Sequence, residues 1–240
     1  MEIEQSTQSK RTSKPKASSS RDIQQLHILY NITRTRYLES NLSISINHLL
    51  ESKTRPTVTK IVSLGLGSFK SADQTRRIKQ LTIFLAIAIA TQLRLYNPEV
   101  EIYAQDPSFS KNDQTFLQSL GVHILSTPSA TELGEAAQYI DETTLVYSPF
   151  LTLEAYQLLF STETVGLFIR DDVDAFRAKW PKHSSGRNEA ELLLRRFVQG
   201  YRKRVIGGDD EFWDVKDKPF PMAMYSAVLR HQNKQRQAKL

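Results

Sequence analysis

The sequence predicts an α/β fold: a doubly wound, Rossmann-like, mainly parallel sheet with helices on both faces, preceded by an N-terminal helical segment. Three observations predict it. Short β-branched runs alternate with segments of helical period from residue 57 onward. The stretches between those runs are long enough for the crossover connections that parallel strands need. The first run ends on Gly65-Leu66-Gly67, a turn suited to leading a strand into a helix.

Ser, Thr, Lys and Pro dominate the start of the chain, and such a composition buries too little apolar area to offset the entropy of ordering. Residues 1–20 are therefore expected to be a disordered basic tail, and 21–53 a helical segment carrying Ile23, Leu26, Tyr30, Tyr37, Ile46 and Leu50 at helical intervals. The domain proper is expected over 57–228, with a second basic tail at 229–240. VTKIVSLGLG (58–67) is the first strand, and Ser71-Ala-Asp-Gln74 matches a capping box opening a helix that Asn97-Pro98 stops. EVEIYAQDP (99–107) is the second strand, followed by a helix from Ser110 to Leu120 that Gly121 closes. VHILS (122–126) is the third strand, Ala130 to Ile140 a short helix, and TTLVYSP (143–149) the fourth strand. A helix from Leu151 to Phe160 leads to the fifth strand, ETVGLFI (163–169). Asn188 is read as the N-cap of a further helix, and YRKRVIGG (201–208) as a sixth strand; 212–230 is mixed and yields no single element.

With 240 residues and 40% hydrophobic content the chain supports one sizeable core. The absence of cysteine excludes disulfides, thiolate metal sites and cysteine nucleophiles. The N-terminal segment lacks the apolar core of a secretory signal, and the most apolar stretch, Leu81 to Leu93, is too short to span a bilayer, so a cytoplasmic or nuclear protein without a membrane span is expected. The net charge of +6 comes from the tails: residues 1–21 carry +3 and residues 228–240 carry +4, leaving −1 between them. Nonspecific phosphate contacts from the tails are the one nucleic-acid reading this leaves, and solvated disordered ends are the favoured reading of that charge.

Ligands of open parallel sheets bind beyond the carboxyl ends of the strands, where the strand order reverses. The candidate cofactor-binding residues there are Gly65, Gly67 and Ser68 after the first strand, Asp106 at the end of the second, and Tyr147 and Ser148 at the end of the fourth. A helix N-terminus behind the glycines suits an anionic or ribose-bearing ligand, and a carboxylate at the second strand end suits ribose hydroxyls, so S-adenosylmethionine or a nucleotide is the cofactor considered. The third glycine of the dinucleotide fingerprint is replaced by Lys70, and Asp106 before Pro107 reads equally as a turn or cap residue. Asp171, Asp172 and Asp174 read either as ligands for a hard cation or as acids opening the next helix. The five histidines lie on different elements with no pair at metal-ligand spacing, and no metal is assigned. No complete catalytic constellation assembles, which leans the reading away from an enzyme.

VSLGLGSF (62–69), Gln80-Leu81, QDPSFSKND (105–113), FLQSLGVHIL (116–125) and TLVYSPF (144–150) together resemble the domain of the sensitivity-to-red-light-reduced (SRR-like) proteins, and RTRYLESNLSISINHLL (34–50) is similar to the helix preceding it. The resemblance covers roughly 34–170 and implies a regulatory role with a protein partner; plant relatives act in light signalling and the circadian clock, and other eukaryotic relatives are linked to haem metabolism or microtubule processes. It brings no defined chemical activity. Many relatives continue the fourth strand with Met-Pro-His-Cys, whereas here Ser148-Pro149 is followed by Phe150 and Leu151, which neither transfer protons nor bind metal. The expected function is a regulatory or interaction protein on a nucleotide-binding-like scaffold. The alternatives are a methyltransferase-like or other nucleotide-dependent enzyme, and weak nucleic-acid binding through the tails.

Overall fold

The computed structural model describes residues 17–228 apart from 52–55, 96–99, 130, 150, 162–164, 208–211, 215–216 and 218–220. Most of the expected N-terminal tail, the whole C-terminal tail, the Asn97-Pro98 stop and Phe150 lie outside the described residues.

Helix α1 (Ala17–Leu38) begins inside the segment expected to be disordered. Tertiary contacts hold the helix just beyond that segment: Asp22 accepts from Lys70 and Asn112, and Leu26 and Tyr30, one turn apart, and Tyr37, two turns further, are buried. Helix α2 (Asn41–Leu50) follows, capped by Ser40 Oγ, which accepts from the Ser43 amide. The domain then runs β1 (Lys60–Leu64), α3 (Gln74–Leu95), β2 (Glu101–Gln105), α4 (Lys111–Ser119), β3 (His123–Ile124), a 3-10 turn at Gly134–Gln138, β4 (Thr144–Ser148), α5 (Leu153–Ser161), β5 (Leu167–Asp171), α6 (Val173–Arg177), α7 (Ser185–Gly200), β6 (Tyr201–Ile206) and β7 (Met222–Ala227).

Seven strands form one sheet in the order β3-β2-β1-β4-β5-β7-β6. Pairings from β3 through β5 are parallel, while β7 runs antiparallel to both β5 and β6. Side chains alternate across the sheet, so each strand feeds two cores. Ile61, Ala104, Leu145, Tyr147, Leu167 and Ile169 pack beneath α1 to α4. Val62, Tyr103, Val146, Phe168 and Tyr225 pack beneath the 3-10 turn and α5 to α7. Burial along their length explains why β1, β4 and β5 read as largely apolar runs.

Several boundaries differ from expectation. The third strand is two residues long, and the helix expected over 130–140 is only a 3-10 turn that begins on Gly134 at φ +50, where a Cβ would stand 2.5 Å from the Ser126 carbonyl oxygen. Helix α7 starts at Ser185, with Ser184 Oγ accepting from the Arg187 amide, so Ser184 and not Asn188 is its cap. Helix α3 starts at Gln74; the box expected at Ser71 does not form, and Ser71 Oγ instead accepts from Arg77 Nε at 3.1 Å. No described helix, α3 included, is long and apolar enough to cross a membrane.

Candidate functional site

The chain crosses from β1 to β2 on one side and places β4 on the other, so the sheet's topological switch point lies above β1. A crevice of about 360 Å³ opens there. Its floor is Leu64, Gly65 and Gly67 from the end of β1; one wall is Asp106, Pro107 and Ser108 after β2. Glu132 and Leu133 before the 3-10 turn, and Leu151, Thr152 and Ala155 at the start of α5, complete it. The volume lies within the range of small-molecule sites.

Glycine is required at two positions. Gly65 and Gly67 have φ of +80° and +72°, the left-handed region where a Cβ is strained. A Cβ on Gly67 would also stand 1.7 Å from Arg77 Nη1. Arg77, one turn into α3, reaches back across the loop: Nη1 donates to the Leu66 carbonyl at 2.7 Å and Nε to Ser71 Oγ. The Gly67 amide donates to Asp106 Oδ2 at 2.7 Å. Asp106 Oδ1 accepts from the Ser108 amide at 2.8 Å and from Ser108 Oγ at 2.5 Å.

These bonds decide what the crevice can hold. The loop cannot cradle a phosphate as a glycine-rich phosphate loop does, since the Gly67 amide is engaged and a guanidinium covers its outer side. A carboxylate offers about four acceptor positions, and Asp106 has three filled within the protein, leaving about one for a ligand hydroxyl. Arg77 uses two of its roughly five N–H donors in the bonds above and lines the same crevice. The crevice thus brings the Arg77 guanidinium and the carboxyl-bearing residues Asp106 and Glu132 together with the polar Gln105, Thr127 and Ser129 and the apolar Leu64, Leu133 and Leu151.

Of the sequence-nominated residues, the structure brings Gly65, Gly67 and Asp106 together in the crevice. It does not bring Ser68, Tyr147 or Ser148 there. Ser68 Oγ donates to Asp113 Oδ2 at 2.8 Å, anchoring the loop to α4. Tyr147 is fully buried on the α3 side, stacked on Phe84 with 5.7 Å between ring centroids, and burial pushes its hydroxyl pKa well up. Ser148 is fully buried on the opposite face, and its carbonyl accepts from the Tyr156 hydroxyl. A strand's alternation sends these two side chains into the helix layers rather than toward the sheet's edge.

Sequence reasoning missed Arg77, Glu132 and Leu133, which reach the crevice from elements with no local signal. It also missed Asp113, which is fully buried and accepts from Ser68 Oγ, the Phe69 amide and the Ser110 amide. The signal for Asp113 was present: Ser110 and Asp113 form a capping box at the start of α4. The acidic cluster after β5 resolves as a cap with ion pairs. Asp172 caps α6 and bonds Lys203, Asp171 bonds Lys179 at 2.6 Å, and Asp174 bonds Lys203 and Arg177. Among the described residues no group of three or more His, Asp or Glu is placed to hold a metal ion.

A family model described as the SRR1 domain matches residues 28–234, a span that includes the crevice, most of both cores and all seven strands. The chain belongs to the SRR1 domain family. The match extends the family's domain well beyond the segments that carry the resemblance in the sequence, through β6 and β7. Among curated proteins none matches the chain significantly. Among solved structures, a putative O-methyltransferase from Klebsiella pneumoniae aligns at 12% identity and TM-score 0.40, over 91% of this chain and 93% of its own. The O-methyltransferase TomG from Streptomyces achromogenes, in complex with SAM, aligns at 12% identity and TM-score 0.39, over 91% and 92%. Fibrillarin from Aeropyrum pernix, in complex with S-adenosyl-L-methionine, aligns at 12% identity and TM-score 0.41, over 77% and 74%. At that level of likeness no residue of theirs is placed on this SRR1 chain.

Proposed function

We propose that this SRR1-domain protein is a regulatory protein that binds a small nucleoside-bearing ligand in the switch-point crevice and acts through a protein partner. The observation that carries the reading is the crevice itself: Asp106, with one acceptor position left, and Arg77 line it together with the apolar Leu133 and Leu151. Asp106 suits a ribose hydroxyl, Arg77 a carboxylate, and the leucines a flat base. The covered Gly67 amide disfavours a ligand that depends on a phosphate cradle, which puts S-adenosylmethionine ahead of dinucleotides. The regulatory role follows the family resemblance, and Leu151 offers no proton-transfer group at the turn after β4.

The test is calorimetric titration of the full chain with S-adenosylmethionine, nicotinamide dinucleotide, ATP and haem, beside a Ser108→Trp variant that fills the crevice from an exposed position. S-adenosylmethionine is expected to bind the parent and to lose at least tenfold in affinity in the variant. Binding of equal strength in both would remove the crevice from the reading. Turnover of the bound cofactor would make the protein an enzyme.

A further inference from the structure

Arg170 sits near the end of β5, among Leu167, Phe168 and Ile169, and is fully buried. Its guanidinium carbon lies 3.6 Å from the centroid of the Tyr156 ring, and 5.2–5.3 Å from those of Phe160, Phe176 and Phe197. These rings come from α5, α6 and α7, so the cation is enclosed by the whole helix layer of that face. The rings solvate the face of a guanidinium, because their quadrupoles attract positive charge. They do nothing for its edge, where the five N–H donors lie in the plane.

Among the described residues, Nε, Nη1 and Nη2 of Arg170 all lack a hydrogen-bond partner. Ser148 Oγ lacks one too, and Ser148 is the register partner of Arg170 across the parallel β4–β5 pair, on the same face of the sheet. The carboxylates nearby in sequence are held elsewhere: Asp171 by Lys179, Asp172 by Lys203 and the α6 amides, and Asp174 by Lys203 and Arg177. A buried charge is normally both paired and hydrogen-bonded, since desolvation without compensation is costly. An arginine and a serine that are register partners on one face at the carboxyl end of parallel strands, both with unmet donors, supply the donor set of an oxyanion site.

We propose that Arg170 and Ser148 form a buried binding site for a small oxyanion, the carboxylate or phosphate group of a ligand, separate from the crevice above β1. The planar guanidinium, held flat by Tyr156, presents two parallel N–H groups to such a group, and Ser148 Oγ donates a third bond. The site does not depend on what occupies the crevice.

The experiment follows thermal unfolding of the full chain in chloride of matched ionic strength, with millimolar inorganic phosphate or acetate added, for the parent, Arg170→Met and Ser148→Ala. One of the two anions raises the parent's midpoint saturably, by roughly 5–10 °C at a hundred times its Kd. A response to phosphate alone identifies a phosphate-bearing ligand, and a response to acetate alone a carboxylate. Arg170→Met shows no saturable response and melts in chloride at or above the parent, because methionine removes the buried charge and its unmet donors. Ser148→Ala responds more weakly. Generic salting effects raise parent and variant alike, so an equal rise in Arg170→Met, or none in the parent, overturns the site. Should Arg170→Met fail to fold, the Arg170 Nε–H resonance of the labelled parent decides: it moves on titration if the anion binds there, and stays fixed if the rings alone hold the cation.

Discussion

Replacing Asp113 by alanine tests whether a single buried carboxylate holds the crevice loop to the helix beside it. Asp113 accepts from Ser68 Oγ at 2.8 Å, the Phe69 amide at 3.1 Å and the Ser110 amide at 2.8 Å, with no exposure to solvent. Hydrogen bonds to a charged group contribute about 1.5–3 kcal/mol each, but the three losses differ. Ser68 and Ser110 are half-buried and regain water, so each loss is small, about 1 kcal/mol for the helix cap. The Phe69 residue is buried, and stranding its amide costs about 1–3 kcal/mol. The sum is about 3–5 kcal/mol, which for a domain of this size lowers the melting midpoint by roughly 6–20 °C. Urea denaturation measures it directly as a lower midpoint at unchanged slope. Asp113→Asn, which keeps one good acceptor, should fall between parent and alanine. A loss below about 1 kcal/mol in Asp113→Ala would refute the claim that this carboxylate carries the loop.

Two further outcomes follow from the same region and its surroundings. Gly67→Ala is expected to cost about 2–3 kcal/mol, combining left-handed backbone strain with displacement of Arg77, but only about 1 kcal/mol in an Arg77→Ala background; equal costs in a double-mutant cycle would mean that Arg77 does not cover the loop. Burial raises the Asp141 carboxyl, but Lys60, Thr143 and Thr144 outweigh it and bring the pKa to about 2 from an ordinary 3.8. A depressed carboxylate contributes stability above its unfolded value and loses it as pH falls through the folded one, so the parent should lose a little stability between about pH 4 and pH 2, at most about 1 kcal/mol for so open a pair, and Lys60→Met should lose less. An Asp141 carboxyl that titrates by NMR near 3.8 would contradict the pairing.

The first five strands and the long α3 were legible because a parallel strand buried on both faces is an unbroken β-branched run, and the helices between carry their own period. Met222–Ala227 was not, since MAMYSA contains neither a β-branched run nor a clear alternation, and nothing local reports that a strand late in the chain inserts antiparallel between β5 and β6. The crevice was half legible for a related reason. Gly65, Gly67 and Asp106 announce themselves by sitting at strand ends. Arg77 looks like any charged residue in a helix; its role comes from an arm reaching back over a loop ten residues earlier. Tyr147 and Ser148 were drawn to the same edge by position, yet the pleat turns their side chains into opposite helix layers, where they serve packing and, for Ser148, a different site.

The position of β7 also sets an order on how the chain is made. β6 leaves the end of α7 directly and, among the described residues, has no strand neighbour other than β7, and β5 likewise presents one edge until β7 arrives. On the ribosome, therefore, five paired strands form first, with a row of unmet backbone groups along β5 and a loose sixth strand that cannot close it. One late segment seals both at once. A message broken between the codons for Ile206 and Met222 would release a nearly complete domain with an adhesive edge, a form of this protein that quality control has reason to destroy.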